Sequence, residues 1–276
     1  MLISYKWSSL SEIGDANFQF GTIGQRNISY CESWANTRAC QSVAPEDLNL
    51  DGFTSINFAF SFFDPSTFTI TSMDSNTASL YSRFTALKEV KPGMQTFISV
   101  GGWSFTDPSS TQKAFSTMVS SAANRAKFIN GLVHFMDNYG FDGVDLDWEY
   151  PGADDHGGVA ADTANYVALT KEMRAAFGSR YSLTVTIPTS YYYLQHFDLA
   201  GIQASIDWFN IMGYDSHGSR AARRSLDFTA ASILRIALGV TRIHCVGPVA
   251  NSCVEPQKPN SEQQTFRGHF DFLVVA

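Results

Sequence analysis

The stretch Phe141-Asp142-Gly143-Val144-Asp145-Leu146-Asp147-Trp148-Glu149-Tyr150 constrains the fold more than any other part of the chain. Val144, Leu146 and Trp148 alternate with Asp145, Asp147 and Glu149, which is the two-residue period of a β-strand. The apolar face requires a core, and three carboxyls stand opposite it. Such a row is costly to bury unless it is hydrogen-bonded or functional. Closely spaced like charges cannot all stay ionised, so at least one pKa must rise. A raised carboxyl pKa is what a general acid needs near neutral pH. A calcium loop started at Asp145 requires Gly at its sixth position and Glu at its twelfth, where this chain has Tyr150 and His156. No metal ligand set is therefore expected.

The flanking sequence alternates between the periods of strands and helices. Strands are expected at Asn27–Cys31, Thr54–Phe62, Gln95–Val100, across the carboxylate row, at Ser182–Ile187 and at Asp207–Met212. Helices are expected between them. One covers Ala78–Val90, one runs from a Ser121 cap to Gly140, and one spans Asp162–Phe177. A short helical stretch follows at Leu199–Ala204. This rhythm predicts βα units around a parallel sheet. No Gly-rich phosphate turn follows the first strand, and unusual polar residues gather at the C-terminal ends of several strands. Both features favour a (β/α)8 TIM-type barrel over an open doubly wound sheet.

The rhythm stops after the sixth strand, so the barrel is expected to be incomplete. Basic residues outnumber acidic ones seven to four in 218–276, against twelve to twenty-two in 1–217. Only Ile236–Val240 and Phe270–Val275 resemble further strands. The chain thus divides into a lead-in (1–25), a barrel unit (26–217) and an atypical tail (218–276).

A net charge of −7 disfavours nucleic acid and anionic membranes as partners. No run of eighteen apolar residues is present, so no membrane span is expected. The first residues lack the apolar segment of a signal peptide. The spacing of Cys31, Cys40, Cys245 and Cys253 contains no zinc pattern, and a Cys31–Cys40 disulfide is left open. The segment 153–157, with Asp154, Asp155 and His156, is expected to be a solvated loop.

The acidic stretch resembles the Asp-x-x-Asp-x-Asp-x-Glu signature of glycoside hydrolase family 18, through Asp142, Asp145, Asp147 and Glu149. Ser99-Val100-Gly101-Gly102-Trp103 is similar to the family's third-strand motif, and Met212-Gly213-Tyr214-Asp215 to its sixth-strand motif. Phe58-Ala59-Phe60 resembles its aromatic second strand. The resemblance covers about residues 26–217 and is nearest to the large fungal chitinases. It implies hydrolysis of β-1,4-linked N-acetylglucosamine by a substrate-assisted route, which the family uses in place of a second carboxyl nucleophile.

In that scheme Glu149 is the acid and Asp147 orients the substrate's acetamido group. Asp145 sits behind Asp147 and shares a proton with it. Tyr214 and Asp215 contact substrate, joined by Met212, Trp103, Gly102 and Tyr150. Asp142, Ser99 and Gly101 are structural. Trp34, Trp103, Tyr150 and Tyr191–Tyr193 are each candidates for sugar stacking or for core packing. The resemblance implies no cofactor, chitin or chitooligosaccharides as partner, a monomer, an endo mode and an extracellular location. It departs from the family in having no Trp after Trp208 and no small insertion domain. A chitin-binding lectin, an inactive family member and an N-glycan-cleaving endo-β-N-acetylglucosaminidase are the alternatives. Retention of Glu149 speaks against the lectin.

Overall fold

The computed structural model describes residues 26–213, 243–248 and 272–275. Among the described residues nine strands form one sheet: β1 Ile28–Glu32, β2 Ser55–Phe63, β3 Ile70–Ser72, β4 Gln95–Gly101, β5 Gly143–Asp147, β6 Ser182–Pro188, β7 Trp208–Met212, β8 Ile243–Pro248 and β9 Phe272–Val275. Strands β1, β2, β4, β5, β6 and β7 pair in that order and all run parallel. These are the six strands legible in the sequence. The short β3 returns antiparallel on β2 as a hairpin that sequence reading missed.

Beyond β7 the pattern breaks down. Strand β8 is parallel to β7, but it begins after the Ile236–Val240 candidate, which lies outside the described residues. Strand β9 falls within the Phe270–Val275 candidate and runs antiparallel to β8. It also meets β1 at Ser29↔Leu273. The fold is thus an incomplete (β/α)8 barrel: its parallel wall runs through β8 and ends in a reversed strand.

The helices are α1 Ser75–Thr85, α2 Leu87–Val90, α3 Trp103–Thr106, α4 Ala114–Val119, α5 Ala122–Tyr139, α6 Asp162–Phe177, α7 Tyr191–Leu194 and α8 Leu199–Gln203. The expected Ala78–Val90 helix starts earlier, because the Asp74 carboxylate caps it by accepting from Thr77 N at 2.7 Å. It also splits at Ala86. Ser121 caps α5 through Asn124 N, and Gly140 ends it in the left-handed region at φ 79°.

Strand alternation decides which side chains face the helices. Val144 and Leu146 point outward from β5, each fully buried and each contributing about 1.5–3 kcal/mol. Trp148 continues that face, stacked on Phe115 at 5.1 Å and edge-on to Tyr166 at 5.2 Å. Phe58 does the same from β2 against Tyr81 and Phe84. On the opposite face Ile28, Phe97 and Trp208 form a small cluster with Tyr30 against it. That cluster plugs one end of the barrel, and the polar interior residues lie between it and the strands' C-terminal ends.

Cys31 is buried on the outward face of β1, and its thiol is pushed up to about 12 by burial and then by the charge of Glu32. Cys31 and Cys40 are not bridged to each other.

Candidate active site

The three carboxyls of the acidic row point into the barrel but meet different surroundings. Asp145 lies in the middle of β5 and is fully buried. Its Oδ1 accepts from Thr184 Oγ1 at 2.8 Å and from Asn210 Nδ2 at 2.9 Å. Its Oδ2 accepts from Tyr30 OH at 2.8 Å, Ser99 Oγ at 2.8 Å and Thr186 Oγ1 at 3.0 Å. Five donors from β1, β4, β6 and β7 saturate a group that, when ionised, only accepts. The Tyr30 phenol is held well above its ordinary range by burial, and next by the Asp145 charge, so it remains a donor. Trp208 Nε1 donates to Asn210 Oδ1 at 3.0 Å, which turns the Asn210 amide NH2 toward Asp145.

Asp147, at the end of β5, is also buried, yet its Oδ1 accepts no hydrogen bond from the described residues. Its pKa is raised well above the ordinary carboxyl range, first by burial, then by the charge of Glu149, then by that of Asp145. The two aspartates are therefore unequal. Asp145 has donors on both oxygens, whereas Asp147 Oδ1 has none among the described residues. Glu149 follows two residues later and is buried at 6% exposure.

The raised Asp147 value has a consequence for stability. The folded state holds this proton more tightly than the unfolded chain does. Stability from Asp147 is complete below the ordinary carboxylate range and is lost as pH rises through that range toward the folded value. Urea midpoints measured from about pH 4 to about pH 8 should therefore fall more steeply for the wild type than for Asp147→Asn, which has no proton to lose there. Parallel pH profiles for the two proteins would show that Asp147 is not perturbed.

The glycine pair after β4 brings the strand ends together. Gly101 has φ 113°, and a Cβ there would stand 2.3 Å from the Asp147 carbonyl oxygen. Gly102 N donates to that same oxygen at 2.8 Å. A Cβ on Gly102 would meet the Phe60 ring at 3.0 Å. Trp103 follows and is 49% exposed. Tyr150 is buried against Tyr193, stacked at 4.0 Å between centroids. The Glu149–Tyr150 and Ala59–Phe60 peptides are cis. Met212 closes β7 on the interior face, buried. Tyr214 and Asp215 lie outside the described residues.

Asp142 stands apart at the opposite end of β5. Its Oδ2 accepts from Thr96 N at 2.8 Å and from Thr96 Oγ1 at 3.1 Å, and Lys88 Nζ donates to its Oδ1 at 2.9 Å. The segment 153–157 is not uniformly solvated. Asp154 and Asp155 are exposed, but His156 is buried beneath Trp103, Tyr150 and Tyr193. Behind it Asp162 Oδ2 accepts from Ser116 Oγ, Val159 N and Gly152 N, fixing the loop that follows Glu149.

Sequence reading missed Tyr30, Thr184, Thr186 and Asn210. A faint signal existed: each is a polar residue on the inward parity of an otherwise apolar strand.

The comparisons with known proteins agree with this geometry. The family model described as "Glycosyl hydrolases family 18" matches residues 26–237. The chain is 36% identical over 178 residues to "Killer toxin subunits alpha/beta" of Kluyveromyces lactis, covering 63% of this chain and 14% of that protein. It is 37% identical over 163 residues to "Chitinase A1" of Niallia circulans, covering 55% and 22%. Both relatives are thus far longer than the segment they share with this chain. Catalytic domain 2 of the Ostrinia furnacalis Group II chitinase superposes with a TM-score of 0.68 at 25% identity, covering 80% of this chain and 64% of that one. The chain belongs to glycosyl hydrolase family 18.

Proposed function

We propose that the chain is an endo-acting chitinase that hydrolyses β-1,4-N-acetylglucosamine linkages with retention, using the substrate's own acetamido group. The observation that carries this is the unequal aspartate pair: a buried Asp147, whose Oδ1 takes no hydrogen bond from the described residues, between a saturated Asp145 and Glu149. Asp147 beside the acid offers an oxygen that can accept from the acetamido N–H, which aims the acetamido carbonyl oxygen at the anomeric carbon.

Glu149 gives its proton to the glycosidic oxygen as the anomeric C–O bond breaks. The acetamido carbonyl oxygen attacks the same carbon and forms an oxazolinium ion, whose developing positive charge Asp147 stabilises. The leaving chain departs with the proton. Glu149, now a carboxylate, takes a proton from the incoming water, which opens the ring with net retention. Asp145 acts through Asp147, held by its five donors. Tyr214 supports the acetamido oxygen and Asp215 touches substrate nearby. Met212, Gly102, Trp103 and Tyr150 line the reacting sugar's surroundings. The enzyme works on chitin or chitooligosaccharides, as a monomer, outside the cell.

Proton NMR of a chitooligosaccharide digest tests this directly. The β-anomer of the new reducing end should appear first and then mutarotate. Initial α-anomer would sink the retaining mechanism. Binding without any turnover would replace the enzyme by a lectin.

A further inference from the structure

Three Asp-Gly or Asn-Gly pairs occur in the chain: Asp51-Gly52, Asn130-Gly131 and Asp142-Gly143. Such pairs share a chemical weakness. With no Cβ on the second residue, its backbone nitrogen can reach the side-chain carbonyl carbon of the first and close a five-membered ring. The three pairs have different surroundings, and these decide which ring can form.

Two of the pairs are held. The Asp142 carboxylate accepts from Thr96 N, Thr96 Oγ1 and Lys88 Nζ. Gly143 lies in β5, paired with Phe97 of β4 on one side and Ser182 of β6 on the other. A Cβ there would stand 2.6 Å from both the Phe97 ring and the Ser182 carbonyl oxygen, so the backbone has no room to turn. Asn130-Gly131 lies inside α5, where helical hydrogen bonding holds the backbone nitrogen.

Asp51 and Gly52 are not held in this way. They are the two central residues of a turn closed by Phe53 N, which donates to Leu50 O at 3.2 Å, and both are exposed. Gly52 has φ 80°, and a Cβ there would meet nothing within 4 Å. Neither the Asp51 carboxyl nor the Gly52 nitrogen has a hydrogen-bond partner among the described residues. Only the frame of the turn is tied down: Lys91 Nζ donates to Leu50 O, and Asn27 Nδ2 donates to Gly52 O at 2.9 Å. The turn precedes β2, at the end of the barrel opposite Asp147 and Glu149.

We infer that Asp51 is a modification site, at which the folded chain converts spontaneously to isoaspartate. Gly52 N attacks Asp51 Cγ and forms an N–Cγ bond, and the amide proton leaves with the carboxyl OH as water. Water then reopens the succinimide ring. Cleavage of the N–Cγ bond restores aspartate. Cleavage of the bond between Gly52 N and the Asp51 main-chain carbonyl carbon leaves the chain running through Cγ, with a free α-carboxylate and no net change in mass. That α-carboxylate is the group that an isoaspartyl methyltransferase esterifies with a methyl group from S-adenosylmethionine, so the aged chain becomes a substrate for this class of enzyme.

The test ages the full chain at mildly acidic pH, folded in one sample and unfolded in urea in another. Isoaspartate is then located by methyl incorporation with such an enzyme, followed by peptide mapping. The folded chain should accumulate isoaspartate at 51 and at least about tenfold less at 142, because about 1.4 kcal/mol of local opening cost already gives that factor. In urea the strand and its donors are gone, and the two positions should converge. Asp51→Ser should remove the signal at this turn from the folded chain and leave the unfolding midpoint near that of the wild type. No isoaspartate at 51 in the folded chain, or equal amounts at 51 and 142, overturns the inference. So does an undiminished preference for 51 in urea, which would assign the selectivity to local sequence and not to the fold.

Discussion

Glu149→Gln lowers chitooligosaccharide hydrolysis by about 10²–10⁴-fold, the usual worth of a positioned general acid. The amide keeps the shape of the side chain and removes its transferable proton. Glu149 lies beyond the end of β5, while the apolar partners of the stretch, Leu146 and Trp148, stay buried against the helices. The thermal midpoint of the variant should therefore stay near that of the wild type, and affinity for the uncleaved oligomer should survive. Initial rates on a soluble oligomer, compared at equal folded concentration, decide the matter. Equal rates for the two proteins would remove Glu149 from the chemistry and return the chain to the lectin or inactive alternatives.

The largest effect on stability is expected at Asp145. Asp145→Ala strands five donors inside the barrel. Tyr30 OH and Thr186 Oγ1 lie 3.3 Å apart, and Asn210 Nδ2 and Thr184 Oγ1 lie 3.4 Å apart, so two pairs can partly satisfy each other. Ser99 loses the partner it has in the wild type. With roughly 1–3 kcal/mol for each buried group left without a partner, the net loss is about 3–5 kcal/mol. Urea unfolding measures it directly. Asp145→Asn keeps an acceptor oxygen and the volume, and should cost less. A loss under about 1 kcal/mol for the alanine variant would mean that the hydroxyls reorganise freely and that the network is not a fixed support for Asp147.

The six parallel strands were legible because each pairs an apolar outward face with punctuation by Gly, Pro or a cap. The carboxylate row was legible because alternation on a single strand is local information. What was not legible arises between strands. Nothing near Tyr30 in sequence points to Asp145, 115 positions away. The difference in surroundings between Asp145 and Asp147 was hidden for the same reason. Charge spacing along one strand treats the two alike, whereas the donors that separate them come from four other strands. His156 was misread because its neighbours Asp154 and Asp155 are polar, while the rings that bury it come from the connections after β4, β5 and β6. Residues beyond Met212 gave two weak strand candidates. One contains a real strand, β9, without revealing its reversed direction, which depends on pairing and not on composition.

The donors to Asp145 also bear on how the barrel is assembled. They arrive from β1, β4, β6 and β7, so no contiguous piece of chain supplies them all. A partly built sheet that lacks β1 or β7 would enclose a carboxylate with an incomplete set of partners, and such burial is strongly unfavourable. Misregistered strands would be penalised likewise, since a one-residue slip turns every inward hydroxyl outward. Asp145 thereby acts as a checkpoint for folding, rewarding only the arrangement in which β1 and β7 have both arrived.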